Sequence, residues 1–165
     1  MIFLETQRLC LRNWKPADID VLCDYRSDER CAKYQRWEIS GREKLCEMLA
    51  CEMHDDFLNE GTKHLAIALR ESDELVGEIK IFLEDPTITL GYTVSYRHHR
   101  KGYAFEMLSA VIAALHKRYP CREVICLVEP ENTASIALLQ KLGFADLGYA
   151  EKITSQVYGL WPVEG

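Results

Sequence analysis

The sequence lacks most of what would point toward a membrane, a metal or a nucleic acid. No apolar run approaches the length that crosses a bilayer. The opening MIFLETQRLCLR has no long apolar stretch of the kind a secretory signal carries. Seven cysteines, at positions 10, 23, 31, 46, 51, 121 and 126, include no CxxC pair. Zinc sites usually show such closely spaced ligands, so no metal is expected. Unpaired thiols fit a reducing cytoplasm, where free cysteine acts as a small buried hydrophobe. Excess positive charge is also missing: the formal net charge is −6, a poor basis for gripping nucleic-acid phosphates. Repeats, low-complexity tracts and Gly/Ser linkers are absent. The 165 residues, 48% hydrophobic and 28% charged, fit one globular domain spanning 1–165. That length suffices to bury about two thirds of the unfolded surface without a disulfide or metal.

What is present is a change of periodicity along the chain. RLCLRNW at 8–14 alternates like an edge strand. Pro16 then opens a helix with Ile19, Leu22 and Cys23 on one face. Ser40 and Glu43 have capping-box spacing before a second helix, which is expected to end near Gly61. HLAIALR, LVGEIKIFL and TITLGYTVS follow as consecutive strands on short connections, the mark of an antiparallel meander. Gly102-Tyr103-Ala104 then opens a helix carrying Met107, Leu108, Val111, Ile112 and Leu115 on one face. EVICLV at 123–128 reads as a buried strand. Asn132 caps a last helix stopped at Gly143, and two closing strands follow, around 145–153 and 156–162. This predicts a mixed α/β domain.

Charge is distributed unevenly. Arg97-His98-His99-Arg100-Lys101 holds three fixed positive charges and no acid, so the rest of the chain carries −9. The segment lies between a strand and a helix start, where unpaired amides and the helix dipole favour an anion. Gly102 keeps the backbone free of a Cβ there. Neither a Walker A loop nor a three-glycine dinucleotide fingerprint is present. A charged turn ahead of a core helix explains the same residues without any ligand.

Three stretches together resemble the GNAT superfamily of N-acetyltransferases. His99-Arg100-Lys101-Gly102-Tyr103-Ala104 is similar to its [RQ]-x-x-G-x-[GA] loop, with His in place of Arg or Gln. Leu4-Glu5-Thr6-Gln7-Arg8-Leu9-Cys10-Leu11-Arg12, Gly102-Tyr103-Ala104-Phe105-Glu106 and the segment from Asn132 through Ser135 to Leu142-Gly143-Phe144 resemble the branch of ribosomal-protein alanine acetyltransferases. The resemblance implies a mostly antiparallel sheet of about six to seven strands with about four helices, splayed at a cofactor cleft. It implies acetyl-CoA as co-substrate. The pantetheine arm would pair with backbone near Val94 and Tyr96, and the pyrophosphate would rest on the loop of His99, Arg100, Lys101, Gly102, Tyr103 and Ala104. Asn132 and Ser135 would contact the pantetheine side, and Arg97 or Arg100 the 3′-phosphate.

The implied reaction is direct transfer of acetyl to a primary amine, either a small molecule or a protein N-terminus. A non-catalytic acyl-CoA-binding module is the alternative. Many relatives carry a tyrosine as proton donor where Leu139 stands here. Ser135 is the substitute, with Tyr92, Tyr103 and Tyr149 open to geometry. Glu78 is the candidate base, through a water; a solvent-facing strand carboxylate is the competing expectation. Glu106 sits where a carboxylate stabilises the helix dipole. Tyr34 and Trp37 would wall the acceptor pocket, core packing being the other reading. The negative remainder suits a cationic acceptor. No nucleic acid or membrane partner is expected, and the last strands offer an edge for a homodimer.

Overall fold

A computed structural model describes residues 1–35 and 41–163. The three β-rich segments in the middle pair as an antiparallel meander: β3 (Gly61–Leu69), β4 (Leu75–Glu84) and β5 (Thr87–Val94). β1 (Ile2–Glu5) and β2 (Leu9–Arg12) extend it on the β3 side. On the other side β6 (Glu123–Val128) runs parallel to β5, followed by β8 (Ser155–Leu160) and β7 (Ala145–Ala150), both antiparallel. The sheet order is β1-β2-β3-β4-β5-β6-β8-β7. Five α-helices among the described residues accompany it: α1 (Ile19–Arg26), α2 (Glu29–Ala32), α3 (Arg42–Glu52), α4 (Tyr103–Arg118) and α5 (Thr133–Lys141).

This is the expected mostly antiparallel α/β sheet, with one strand and one short helix more than the sequence pattern showed. The extra strand is β1, which makes the true edge. β2 is therefore interior, and all four of its residues are buried. Arg12 survives there because Asp18 takes two guanidinium bonds at 2.8 and 2.9 Å and Asp73 a third at 2.7 Å. The expectation that α3 runs to Gly61 also fails. The helix stops at Glu52, and the Asn13 side-chain amide donates to the Met53 and Asp55 carbonyls, at 2.8 and 3.1 Å. Ser40, the expected cap, lies outside the described residues.

Packing follows the two periodicities. The apolar face of α4 joins Ile79, Ile81 and Leu83 of β4, Ile88 and Leu90 of β5, and Leu139 of α5 in one cluster. Trp14, Leu22, Tyr25, Leu45 and Leu49 form a second, with Ala66 and Leu75. Each fully buried aliphatic side chain contributes roughly 1.5–3 kcal/mol.

One irregularity places the site. β5 and β6 stay paired only as far as Leu90 and Cys126. Beyond that point β5 keeps to β4, through Gly77 and Val94, while β6 keeps to β8, through Val128 and Gln156. The sheet thus parts between 91–94 and 127–128. Ser95 N–H donates to the Val76 carbonyl at 2.8 Å. By antiparallel alternation, the backbone groups of Tyr92 and Val94 face the gap instead of β4. Gly77 permits this close approach: a Cβ there would lie 2.3 Å from the Thr93 carbonyl oxygen and 3.1 Å from Val94 Cα.

Candidate active site in the parted sheet

The basic loop leaves β5 at the mouth of the gap. Ser95 Oγ caps a short turn over 96–98 by accepting from Arg97 N–H at 3.3 Å. The backbone then turns left-handed at Arg100 (φ 62°) and at Gly102 (φ 79°). α4 starts directly after, so its first amides lie at the exposed loop.

The three fixed charges of this loop do not act alike. Arg97 Nε donates to Asp24 Oδ2 at 2.9 Å, and Tyr96 Oη donates to Asp24 Oδ1 at 2.9 Å. The Arg97 hydrogen bond, ahead of the Tyr96 one, holds the Asp24 carboxyl below the usual range. The Tyr96 ring lies under the Arg30 guanidinium, 3.8 Å from its centre. Tyr96 and Arg97 are thereby engaged toward α1 and α2. Arg100 and Lys101 remain exposed beside Gly102. His99 Nε2 is 2.8 Å from the Val94 carbonyl, inside the gap.

The opposite wall is α5. Asn132 Oδ1 accepts from Ser135 N–H at 3.2 Å and caps the helix. Asn132→Ala is expected to lower stability by about 1 kcal/mol, read as a shift in the denaturation midpoint. The cap orients Ser135, whose Oγ lies 2.5 Å from Tyr92 Oη across the gap. Burial pushes the Tyr92 phenol above its ordinary pKa, against a smaller opposing effect of Ser135. Of the tyrosines left open by sequence, Tyr92 is therefore the one that meets Ser135. Tyr103 sits under the Arg8 guanidinium and Tyr149 lies exposed on β7. Leu139 is fully buried in the core.

Glu78 is not solvent-facing. It is 5% exposed and accepts from Tyr25 Oη, Arg26 Nη2, Arg26 Nε at 3.2 Å and the His64 ring at 3.1 Å. Burial raises its pKa, but the His64 hydrogen bond and the charges of His64 and Arg26 outweigh it, holding the carboxyl at about 2. His64 in turn meets Glu52 through Nδ1. Burial lowers the His64 pKa, and its two carboxylate partners more than reverse that.

Tyr34 lies elsewhere. Its hydroxyl donates to the Glu131 carbonyl at 3.3 Å. It lines a cleft of about 380 Å³ with Lys33, Gln35, Glu129 and Glu131. Gln35 Nε2, 3.4 Å from the Tyr92 carbonyl, joins this cleft to the gap. The structure thus brings Tyr34, Tyr92, Ser135 and Val94 into one region, while Glu78, opposite Thr93 on the neighbouring strand, is enclosed by Tyr25, Arg26 and His64. Trp37 lies outside the described residues.

Sequence reading missed several contributors. Glu106 does more than face the helix dipole: it accepts from Thr6 Oγ1 at 2.7 Å, Arg8 N–H at 2.8 Å and Arg8 Nε at 2.7 Å. Tyr25, Arg26 and His64 carry no motif and are joined to Glu78 only by folding. Gly77 was legible as a glycine inside a strand, which often marks a close backbone approach.

A parted parallel pair, a basic left-handed loop at a helix start and a polar helix cap opposite form a compact description of one fold family. The model of the acetyltransferase (GNAT) domain matches residues 8–145. The chain belongs to the GNAT acetyltransferase family. Among its relatives, the N-acetyltransferase p20 of Bacillus licheniformis is 32% identical over 152 residues, covering 88% of this chain and 83% of the relative. A GNAT acetyltransferase from Bacillus anthracis superposes with a TM-score of 0.84 at 23% identity, covering 98% of each chain. RimL, a ribosomal L7/L12 alpha-N-protein acetyltransferase in complex with coenzyme A, superposes at 0.80 with 15% identity, again over 98% of each. These likenesses show the fold. In this GNAT enzyme no helix among the described residues is long and apolar enough to cross a membrane.

Proposed function

We propose that this acetyltransferase moves acetyl from acetyl-CoA to a primary amine by direct attack in a ternary complex. The parted edge carries this reading: main-chain groups of Tyr92 and Val94 face a gap that opens onto Arg100, Lys101 and Gly102. An extended amide-bearing arm would pair along that edge, and a pyrophosphate would meet the first amides of α4. The Val94 carbonyl already accepts from His99, so the His99 ring turns aside where the arm pairs. Val94 N–H would stabilise the thioester oxygen as negative charge develops. The Asn132 side-chain nitrogen serves as a further donor to the arm, since Oδ1 is occupied by the cap.

The acceptor enters through the cleft beside Tyr34 and Gln35. Its wall carries Glu129 and Glu131, which favours a cationic amine, a polyamine or the N-terminus of a basic peptide alike. The cationic amine first gives up a proton to water; the neutral nitrogen then attacks the carbonyl carbon, the C–S bond breaks, and the nitrogen releases its second proton to water. Sulfur leaves as thiolate and takes a proton from the Tyr92–Ser135 hydroxyl pair, which regains one from water. A thiol pKa near 8.5 makes that leaving group tolerable, so the donor contributes modestly. Glu78, deprotonated far below neutrality and ringed by donors, holds Tyr25 and Arg26 in place instead of receiving the proton.

Release of free thiol from acetyl-CoA tests this with small amines, polyamines and peptides bearing free N-termini. Amine-dependent release is expected. Tyr92→Phe and Ser135→Ala are each expected to lower kcat about tenfold with little change in KM. Binding of CoA with no amine-dependent release would leave an acyl-CoA-binding module.

A further inference from the structure

The N-terminal hairpin reaches the pyrophosphate loop through one arginine. Arg8 sits in the turn between β1 and β2. Its Nη1 donates to the Lys101 carbonyl at 2.8 Å and its Nε to Glu106 Oε2 at 2.7 Å. Its main-chain N–H donates to Glu106 Oε1 at 2.8 Å, beside Thr6 Oγ1 at 2.7 Å. The guanidinium also covers the Tyr103 ring, 4.6 Å from its centre. One planar fork thus spans both ends of the stretch 101–106, holding a loop carbonyl with one nitrogen and a first-turn carboxylate with another.

The held segment needs holding. Arg100 and Gly102 both have left-handed backbone, and for the non-glycine residue that conformation costs roughly 1–3 kcal/mol unless the surroundings over-determine it. A lone exposed ion pair would do little. Here the pair is the centre of a four-bond clasp, and the Lys101 carbonyl it fixes lies between the two left-handed residues.

We infer that Arg8, with Glu106 and Thr6, is a positioning clasp that pre-sets the pyrophosphate-binding loop, so that the N-terminal hairpin tunes cofactor affinity without touching the acyl group. The inference rests on the cofactor reading above. Pre-setting the loop removes an ordering cost that binding would otherwise bear. It therefore acts on ligands that carry the diphosphate and not on the pantetheine portion alone. The fork geometry matters more than the charge, because the rigid guanidinium presents separate nitrogens to the carbonyl and the carboxylate, whereas an ammonium on a flexible stem offers a single point donor.

The test compares wild type, Arg8→Gln and Arg8→Lys. Affinity for CoA is measured by calorimetry and affinity for pantetheine, which lacks the diphosphate, by ligand-observed NMR. Arg8→Gln is expected to weaken CoA about tenfold, the scale of lost charge-assisted bonds, and to leave pantetheine unchanged. Arg8→Lys should weaken CoA nearly as much. Amide hydrogen exchange in the ligand-free protein supplies a second readout: the amides of 99–104 are expected to exchange faster in Arg8→Gln while those of β4 do not. Wild type that binds CoA with unchanged affinity in Arg8→Gln would overturn the clasp alone. Full rescue by Arg8→Lys would replace it with simple charge attraction. Parallel weakening of CoA and pantetheine, or faster exchange throughout the sheet, would mean a general structural role. Wild type that binds no CoA would overturn the cofactor reading and the clasp with it.

Discussion

Glu78→Ala is expected to lower folding stability by about 3–5 kcal/mol, the scale of breaking a buried charge network by removing one partner. Tyr25 Oη, Arg26 and His64 all donate to this carboxylate. Removing it takes away the carboxylate to which Arg26, nearly enclosed at 14% side-chain exposure, donates. The pH dependence has a definite sign. The Glu78 carboxyl falls from an ordinary 4.5 to about 2 on folding, so its stabilising effect is complete above about 4.5. It is lost as pH falls toward 2, up to roughly 3 kcal/mol by linkage. His64 works on the opposite side. Its pKa is raised by Glu52 and Glu78, so its effect is present below the ordinary histidine value and fades as pH rises through the folded one. Urea denaturation from pH 2 to 8 in wild type and variant measures both. The variant's stability curve should be flatter in acid. A steep proton-linked loss between pH 4.5 and 2 that persists unchanged in Glu78→Ala would refute the network's role. Turnover of a folded Glu78→Gln protein with a shifted pH–rate profile would restore Glu78 as a base.

Gly102→Val is expected to cost CoA affinity more than tenfold, of the order of the 1–3 kcal/mol that a β-branched residue incurs in left-handed backbone. The reason differs from a simple clash. A Cβ at Gly102 meets no protein atom closer than Arg8 Nη2, at 3.4 Å. The loop has room for the atom; it lacks a comfortable backbone for it at φ 79°. The substitution forces the amides around 102 out of line while the core cluster stays intact. Calorimetry with CoA should show the loss, with the thermal midpoint moving by only a few degrees. Unchanged affinity would remove the loop from the cofactor site.

Much of this was legible in one dimension. The period change from strand to helix marked the meander, and the stripe Met107–Leu115 marked α4 as a core helix. The basic strand-to-helix loop was visible because residues adjacent in sequence form it. Other features failed to show for physical reasons. β1 is four residues long, too short to display a period, and its pairing alone converts β2 from edge to interior. Glu78 stands in LVGEIKIFL, where alternation fits a solvated carboxylate as well as a buried one. Its partners come from α1 and β3, at separations of 53, 52 and 14 residues.

The sequence by itself determined the class of fold, the position of the basic strand-to-helix loop and the glycine that loop requires, because each depends on local periodicity or local backbone freedom. Tertiary structure decided how the charges are used. Of the three fixed positive charges in the loop, Arg97 is paired with Asp24, while Arg100 and Lys101 stand exposed beside Gly102. The overall −6 is likewise not a uniform field, since Glu78 and Glu106 are engaged in internal pairs. Whether a charge steers a ligand or locks a fold depends on which distant group meets it. That is set by the packing of elements far apart in the chain.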